Sequence, residues 1–370
     1  MAEAVRMVLV VPDEAGMRLD RWLRRHVPGL GQGAVEKACR TGQVRLDGAR
    51  AKASDRVAAG MQVRVPPFAA PAREAAPGAP PPGQPPRGGP AAAGEAGGIA
   101  PADAEMIRAA VLFRDQHIIV IDKPPGLPSQ GGSGQGGRHV DGLTPALAFG
   151  YKERPKLVHR LDKDTSGVMV LARTDRVARA LSEAFRHRAT RKIYWAAVAG
   201  VPAPRMGTIR FGLLKAPGHG RGGEGEKMRC IPPEAVATTP EAKRATTDYA
   251  VLGALGRRVA WVAMVPVTGR THQLRAHMAE IGHPIAGDGN YGGSGQENLG
   301  DGWGAQLGGE ISRKLHLHAR SLTIEHPVTH EVMTFTAPLP AHMARTWAMF
   351  GWDAAAVPAD PFAPSGGAAR

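Results

Sequence analysis

Cysteine is nearly missing from this 370-residue chain: Cys39 and Cys230 are its only two. Two thiols cannot make a disulfide framework, which excludes the small, cross-linked secreted folds. Long apolar runs are missing as well. No stretch reaches the roughly 20 residues of a membrane-spanning helix. The short apolar run at the N-terminus meets Asp13 and Glu14 too soon to be a signal peptide or a span. The sequence therefore predicts a soluble, cytoplasmic protein with no membrane association.

Positive charge is abundant. The chain carries 47 Lys and Arg against 33 Asp and Glu, a formal net charge of +14 and a pI near 10.3. Such a surplus favours a polyanionic partner, because each phosphate neutralised releases counterions. The surplus is divided by an abrupt change of composition. Residues 71–100 are Ala, Pro or Gly at 24 of 30 positions, which leaves no means of burying a core. Pro67 to Glu105 is predicted to be a disordered linker, and the tail 354–370, of similar composition, is predicted to be disordered too. This gives a small domain over 1–66 and a large one over 106–353.

Three segments of the large domain carry chemistry. In KLVHRLDKDTSGVMVLAR, Asp162 stands among His159, Arg160 and Lys163, ahead of a turn and an apolar run. A carboxylate near fixed cations stays ionised and can act as a nucleophile; alternatively, it simply pairs with Arg160 or Lys163 on a surface loop. In RKIYWAAVAG, Ile193, Trp195 and Ala197 alternate with Lys192, Tyr194 and Ala196. That period of two predicts a strand with Tyr194 and Lys192 on one face. In VTGRTHQLRAHMAEIGHP a turn at Thr268 and Gly269 precedes a helix stopped by Gly282, with Leu274, Met278 and Ile281 as its buried stripe. Arg275 lies one position from that stripe, at the boundary of core and surface, where its fork of donors can reach a carboxylate. His272, His277 and His283 suggest a metal, but no carboxylate or cysteine stands at ligand spacing, and no metal is expected.

The nine residues His159 to Gly167 are similar to the signature of the RluA family of pseudouridine synthases, and KIYWAAVAG and HQLR resemble its second and third motifs. The resemblance makes Asp162 the catalytic aspartate, Tyr194 the ring that lies against the target base with a hydroxyl able to take or give a proton, and Arg275 the partner that orients Asp162. It places Arg160, with His159, against the RNA, Arg160 supporting a nucleotide drawn out of its stack. DKPPG departs from the usual NKPxG, and Gln130 stands where a histidine precedes the glycines. GHPIAGDGNYGG also matches, with Asp288 and Tyr291 expected to be structural. Residues 17–66 resemble an S4 RNA-binding domain: Leu19, Trp22, Leu23 and Val27 form a helical face, a second helix runs near Ala34 to Cys39, and Asp47-Gly48 turns a tight hairpin. Arg21, Arg25, Lys37, Arg40 and Arg45 are the RNA-facing candidates.

The implied fold is α+β: a largely antiparallel mixed sheet with flanking helices, including Val177 to Phe185 and His272 to Ile281. The implied reaction converts uridine to pseudouridine without cofactor or metal. The S4 module together with GGSG points to 23S rRNA or the pre-ribosomal large subunit as partner of a monomeric enzyme, with tRNA as the alternative. Readings from other classes are a noncatalytic RNA-binding or ribosome-assembly factor, and a glycoside hydrolase, which needs a second carboxylate.

Overall fold

The computed structural model describes residues 5–27, 30, 32–68, 99–131, 137–187, 189–216, 227–292 and 311–363. Most of the expected linker, Ser133 and Gly134 of GGSG, the centre of the Gly-rich segment near Gly218, and the last seven residues lie outside that set. The chain divides into two compact units, Met1–Ala93 and Gly94–Arg370.

In the first unit a four-stranded antiparallel sheet runs in the order Arg6–Leu9, Gln62–Val65, Arg45–Leu46, Ala49–Arg50. The helices are Leu19–His26 and Gln32–Arg40. Leu19, Trp22 and Leu23 are buried against Val35, Val44 and Val63, as a period-3.6 stripe requires. Asp47 and Gly48 both have positive φ, 46° and 79°, the geometry of a type I′ hairpin turn. Glu14 is buried, accepting from Trp22 Nε1 at 2.6 Å and bonding His26 Nε2 at 2.9 Å.

The second unit is an α+β fold around one mixed sheet. Its strand order is Met228–Ile231, Met206–Lys215, Lys243–Leu255, Val259–Pro266, Arg191–Ala199, Leu317–Glu325, Ser166–Ala172, Ile118–Lys123, Val111–Arg114. Pairing is antiparallel except where His318 and Ala319 lie parallel to Ser166 and Gly167. Gly167 has φ +110°, and a Cβ there would sit 2.2 Å from the Ala319 carbonyl oxygen. Only glycine permits that approach. Ser166 Oγ bonds His318 Nδ1 at 2.9 Å inside the same junction.

The central strands are buried on both faces. Ile193, Trp195 and Ala197 pack with Trp261, Trp347 and Phe350, while Tyr194, Ala196 and Val198 pack with Met264, Leu274 and Met278. The alternation expected for this strand is thus present, with Tyr194 on the face that holds the helix Gln273–Glu280. The helix Asp175–Arg186, N-capped by Thr174 Oγ1, covers the sheet elsewhere through Val177 and Leu181.

Two boundaries differ from expectation. Pro101–Ala109 is a helix with Pro101 in its first turn, Ile107 buried in the core and Arg108 Nε donating to the Ala146 carbonyl at 2.9 Å. The expected disorder therefore does not extend to Glu105. At the other end, Ala354, Val357 and Phe362 pack on the tryptophan cluster, and Asp360 accepts both arms of Arg191. The tail is anchored through Ala363, because one fixed ion pair and three apolar contacts offset its ordering entropy. Among the described residues no helix is long and apolar enough to cross a membrane.

Candidate active site

Asp162 sits in a loop held from beneath. Leu161 N donates to Ser129 Oγ at 3.0 Å, and that hydroxyl donates to the Leu161 carbonyl at 2.6 Å. Gly126 N donates to the Lys163 carbonyl at 2.9 Å. The fully buried Lys123 ammonium spends its three protons on the carbonyls of Pro124, Leu127 and Lys163. Burial pulls the Lys123 pKa down to about 7, against the opposing pull of Asp164, Asp162 and Asp122. The KPPG segment is thus the scaffold of the Asp162 loop, a role the sequence did not reveal.

The cations adjacent to Asp162 in sequence are not its partners. Arg160 and Lys163 point to solvent. His159 turns inward, where Nε2 accepts from Val170 N at 3.1 Å and the ring lies 4.5 Å from Phe185. Burial, with the nearby Lys192 charge, holds the His159 pKa well below its usual value. His159 is therefore a neutral ring at the cavity wall rather than a counter-charge to Asp162. The groups that face Asp162 come from the third motif: Arg275 Nη1 is 3.7 Å and His272 Nε2 3.9 Å from the same oxygen, Oδ2.

Arg275 corrects a second expectation. Its fork goes to Asp288, with Nε to Oδ2 at 2.7 Å and Nη2 to Oδ1 at 2.9 Å, and only Nη1 is turned toward Asp162. It is buried rather than at a boundary, because the helix Gln273–Glu280 is buried on nearly every side. Asp288 is fully enclosed and also accepts from Asn290 N at 3.1 Å. Burial alone would make the guanidinium easier to deprotonate, but the bonds to Asp288 outweigh it and keep Arg275 charged. Gly287, at φ +76°, lets this loop approach the Lys314 carbonyl, which a Cβ would strike at 2.1 Å. Asp288 is structural, as expected, yet through Arg275 it sets the geometry around Asp162.

The turn before this helix is held by Gln273. Its Oε1 accepts from Thr268 Oγ1 and Arg270 N at 2.7 and 3.1 Å, while Nε2 donates to Thr246 O and Thr247 Oγ1 at 2.8 and 2.9 Å. His272 consequently takes a left-handed backbone, φ 51°. Such strain in a β-carbon-bearing residue costs on the order of 1 kcal/mol and is common at functional sites. Its Nδ1 bonds Tyr291 Oη at 3.2 Å, and that oxygen also accepts from Met228 N at 2.8 Å. The three histidines considered for a metal go to separate places: His272 faces Asp162, His277 is buried beside Phe211, and His283 Nδ1 bonds the Ala199 carbonyl.

Asp162, Tyr194, His272 and Arg275 line a cavity of about 710 Å³ together with Arg160, Arg186, Lys192 and Arg270. Asp162 is its single carboxylate among the described residues. Tyr194 is buried, and burial with the Asp162 charge raises its pKa far above that of a free phenol. At neutral pH it is a hydrogen-bond donor with a flat face, not a ready base. In the first unit Arg21, Arg25, Lys37, Arg40 and Arg45 are all exposed. Arg45, however, donates to the Gly42 and Gly48 carbonyls, and Arg25 lies 3.7 Å from Glu14.

Comparison with known proteins is consistent with this geometry. The profile described as RNA pseudouridylate synthase matches residues 117–280. Ribosomal large subunit pseudouridine synthase C of Escherichia coli is 33% identical over 348 residues, covering 92% of this chain and 95% of that protein. An uncharacterized RNA pseudouridine synthase of Synechocystis is 30% identical, covering 89% and 88%. Among solved structures, human RNA pseudouridylate synthase domain containing 4 superposes with a TM-score of 0.53 at 30% identity, covering 67% of this chain and 95% of that one.

Proposed function

The chain belongs to the RNA pseudouridine synthase family, and from that premise we propose that its cavity isomerises a uridine of 23S rRNA through Asp162, Tyr194 and Arg275. The observation that carries the assignment is the cavity's single carboxylate among the described residues, facing Arg275, itself locked to Asp288, beside an enclosed tyrosine. The Asp162 carboxylate acts on the ribose, either at C1′ or at the 2′ proton. A glycoside hydrolase would need a second carboxylate across the cavity. The reaction breaks N1–C1′, turns the uracil and joins C5 to C1′, with one proton leaving C5 and one arriving at N1. Atoms and electrons balance within the nucleotide, so no cofactor enters.

Tyr194 offers its ring to the base, and its hydroxyl, held as a phenol, donates rather than accepts. Arg160, exposed at the cavity, supports the flipped nucleotide. The first unit, read as an S4 domain, contributes RNA affinity through Arg21, Lys37 and Arg40, with Arg25 and Arg45 partly held by their own fold. The large-subunit rRNA assignment rests on the likeness to the E. coli protein across nearly the whole chain. We read the protein as a monomer acting in the cytoplasm. The test is pseudouridine mapping of rRNA and tRNA from cells lacking the protein and from cells carrying Asp162→Asn. One or more 23S positions should revert to uridine in both strains. Loss confined to tRNA, or none in the Asp162→Asn strain, refutes the assignment.

A further inference from the structure

Among the described residues, enclosed cations have oxygen partners, with one exception. Lys123 bonds three carbonyls, Arg275 bonds Asp288, and Arg173 and Arg320 bond the carbonyls of Ala148 and Ala337. Lys192 lines the cavity and, among the described residues, makes no hydrogen bond and no ion pair. Its ammonium lies over the Phe185 ring, 4.3 Å from the centroid. A desolvated cation without an anion is unfavourable, so the site asks for negative charge from outside the chain.

The position says where that charge arises. Lys192 is two residues before Tyr194 on the strand Arg191–Ala199, so both side chains leave the same face into the cavity. Among the described residues Asp162 makes its ion pairs with Arg275 and His272 and none with Lys192, so the carboxylate and the ammonium stand apart in the same cavity. Neutral His159 and Phe185 border the ammonium, a flat apolar setting suited to a base. The exposed Arg186 and Arg270 suit backbone phosphates instead.

We propose that Lys192 is a catalytic residue that stabilises the negative charge developing on the uracil when its bond to C1′ breaks. The electron pair of N1–C1′ passes to N1 and spreads to O2 and O4. Lys192 donates a hydrogen bond to one of these oxygens and keeps its proton throughout. It holds the anion while the ring turns, and C5 then bonds to C1′. The need is the same whether Asp162 attacks C1′ or removes the 2′ proton. Preorganised donors aimed at developing charge act in this way generally. The inference rests on the assignment of this cavity to uridine isomerisation.

The test uses the full chain and an unmodified large-subunit rRNA transcript, measuring single-turnover pseudouridine formation at saturating enzyme and RNA affinity across salt concentrations. Lys192→Met should slow the saturated rate by roughly 100- to 1,000-fold, the range for removing one such donor. Affinity should stay within about threefold with an unchanged salt slope, and Lys192→Arg should recover most of the rate. Should Lys192→Met not fold, Lys192→Gln is held to the same thresholds. A loss confined to affinity, with the salt slope reduced by about one phosphate, makes Lys192 a phosphate contact and overturns the proposal. An unchanged rate and affinity leaves it as packing and overturns it as well. Wild-type protein inactive on every RNA would instead refute the assignment of the cavity.

Discussion

Replacing Asp288 by Asn tests the idea that Asp162 is positioned from behind. Asp288 is fully buried, accepts two guanidinium bonds of 2.7 and 2.9 Å and takes a third from Asn290 N. The amide keeps the shape but removes the charge and turns an NH2 toward a donor of Arg275. Breaking a buried pair by removing one partner costs about 3–5 kcal/mol. With the amide retaining some of the bonding, we expect about 3 kcal/mol. In a unit of this size that lowers the melting midpoint by roughly 6–12 °C. Activity should fall further than stability explains. Arg275, released from Asp288, has Nη1 only 3.7 Å from Asp162 and would close its whole fork on that carboxylate, drawing it away from the ribose. Calorimetry with single-turnover kinetics at 25 °C, well below the lowered midpoint, separates the two effects: the rate constant should drop by at least about tenfold with RNA affinity intact. A variant within 1 kcal/mol of wild type in stability and with an unchanged rate would refute the reasoning.

Two other predictions concern stability and modularity. Burial depresses the pKa values of His316 and His277 to about 4 and of His318 to about 3. The unfolded chain, with ordinary histidines near 6.5, therefore binds more protons across pH 3–6.5, and stability declines as pH falls through that window. At pH 5 each buried ring should cost about 2 kcal/mol, read as a lower urea midpoint than at pH 7. His318→Gln should flatten this dependence, and an unchanged slope would count against it. Deleting residues 1–98, which spares the helix Pro101–Ala109, should leave a folded protein that binds rRNA more weakly and with a shallower salt dependence. The removed segment through residue 66 carries 12 Lys and Arg against 7 Asp and Glu. A fragment that folds but shows no activity at any concentration would mean that the first unit helps form the active cleft.

What could be read from the sequence was local. The alternation around Tyr194, the stripe of Leu19, Trp22 and Leu23 and the Asp47-Gly48 turn follow from the periods of strand and helix and from the φ values a tight turn needs. What could not be read depended on partners distant in the chain. The basic company of Asp162 suggested His159, Arg160 and Lys163 as its counter-charges, yet the loop turns the first inward to Val170 N and leaves the other two exposed. The groups that face it lie more than a hundred residues on: Arg275, expected only through the family resemblance, and His272. His272 was weighed only as a metal ligand, although a residue directly before a helix and after a Gly-bearing turn is well placed for a strained, site-facing backbone. Composition also hid the helix at Pro101, whose proline at the first turn is itself a start signal.

The motif residues sort by this geometry into a few that face substrate and a larger number that build the loop. Lys123, Ser129, Ser166, Gly167 and Gly287 do not line the cavity, and with Gln273, which does, they fix the loop, the strand junction and the turns around it. The chain's two departures from the family's usual motif fall on opposite sides of that division. Asp122 does not line the cavity; burial raises its pKa to about 6 despite the opposing Lys123 charge. Its consequence is for folding, through a carboxyl that takes up a proton more readily than an exposed one. Gln130 does line the cavity, with Arg160 and His272. Of the two, Gln130 is the one that stands at the cavity, so a change in substrate choice made within the cavity by this segment is to be sought at that neutral amide.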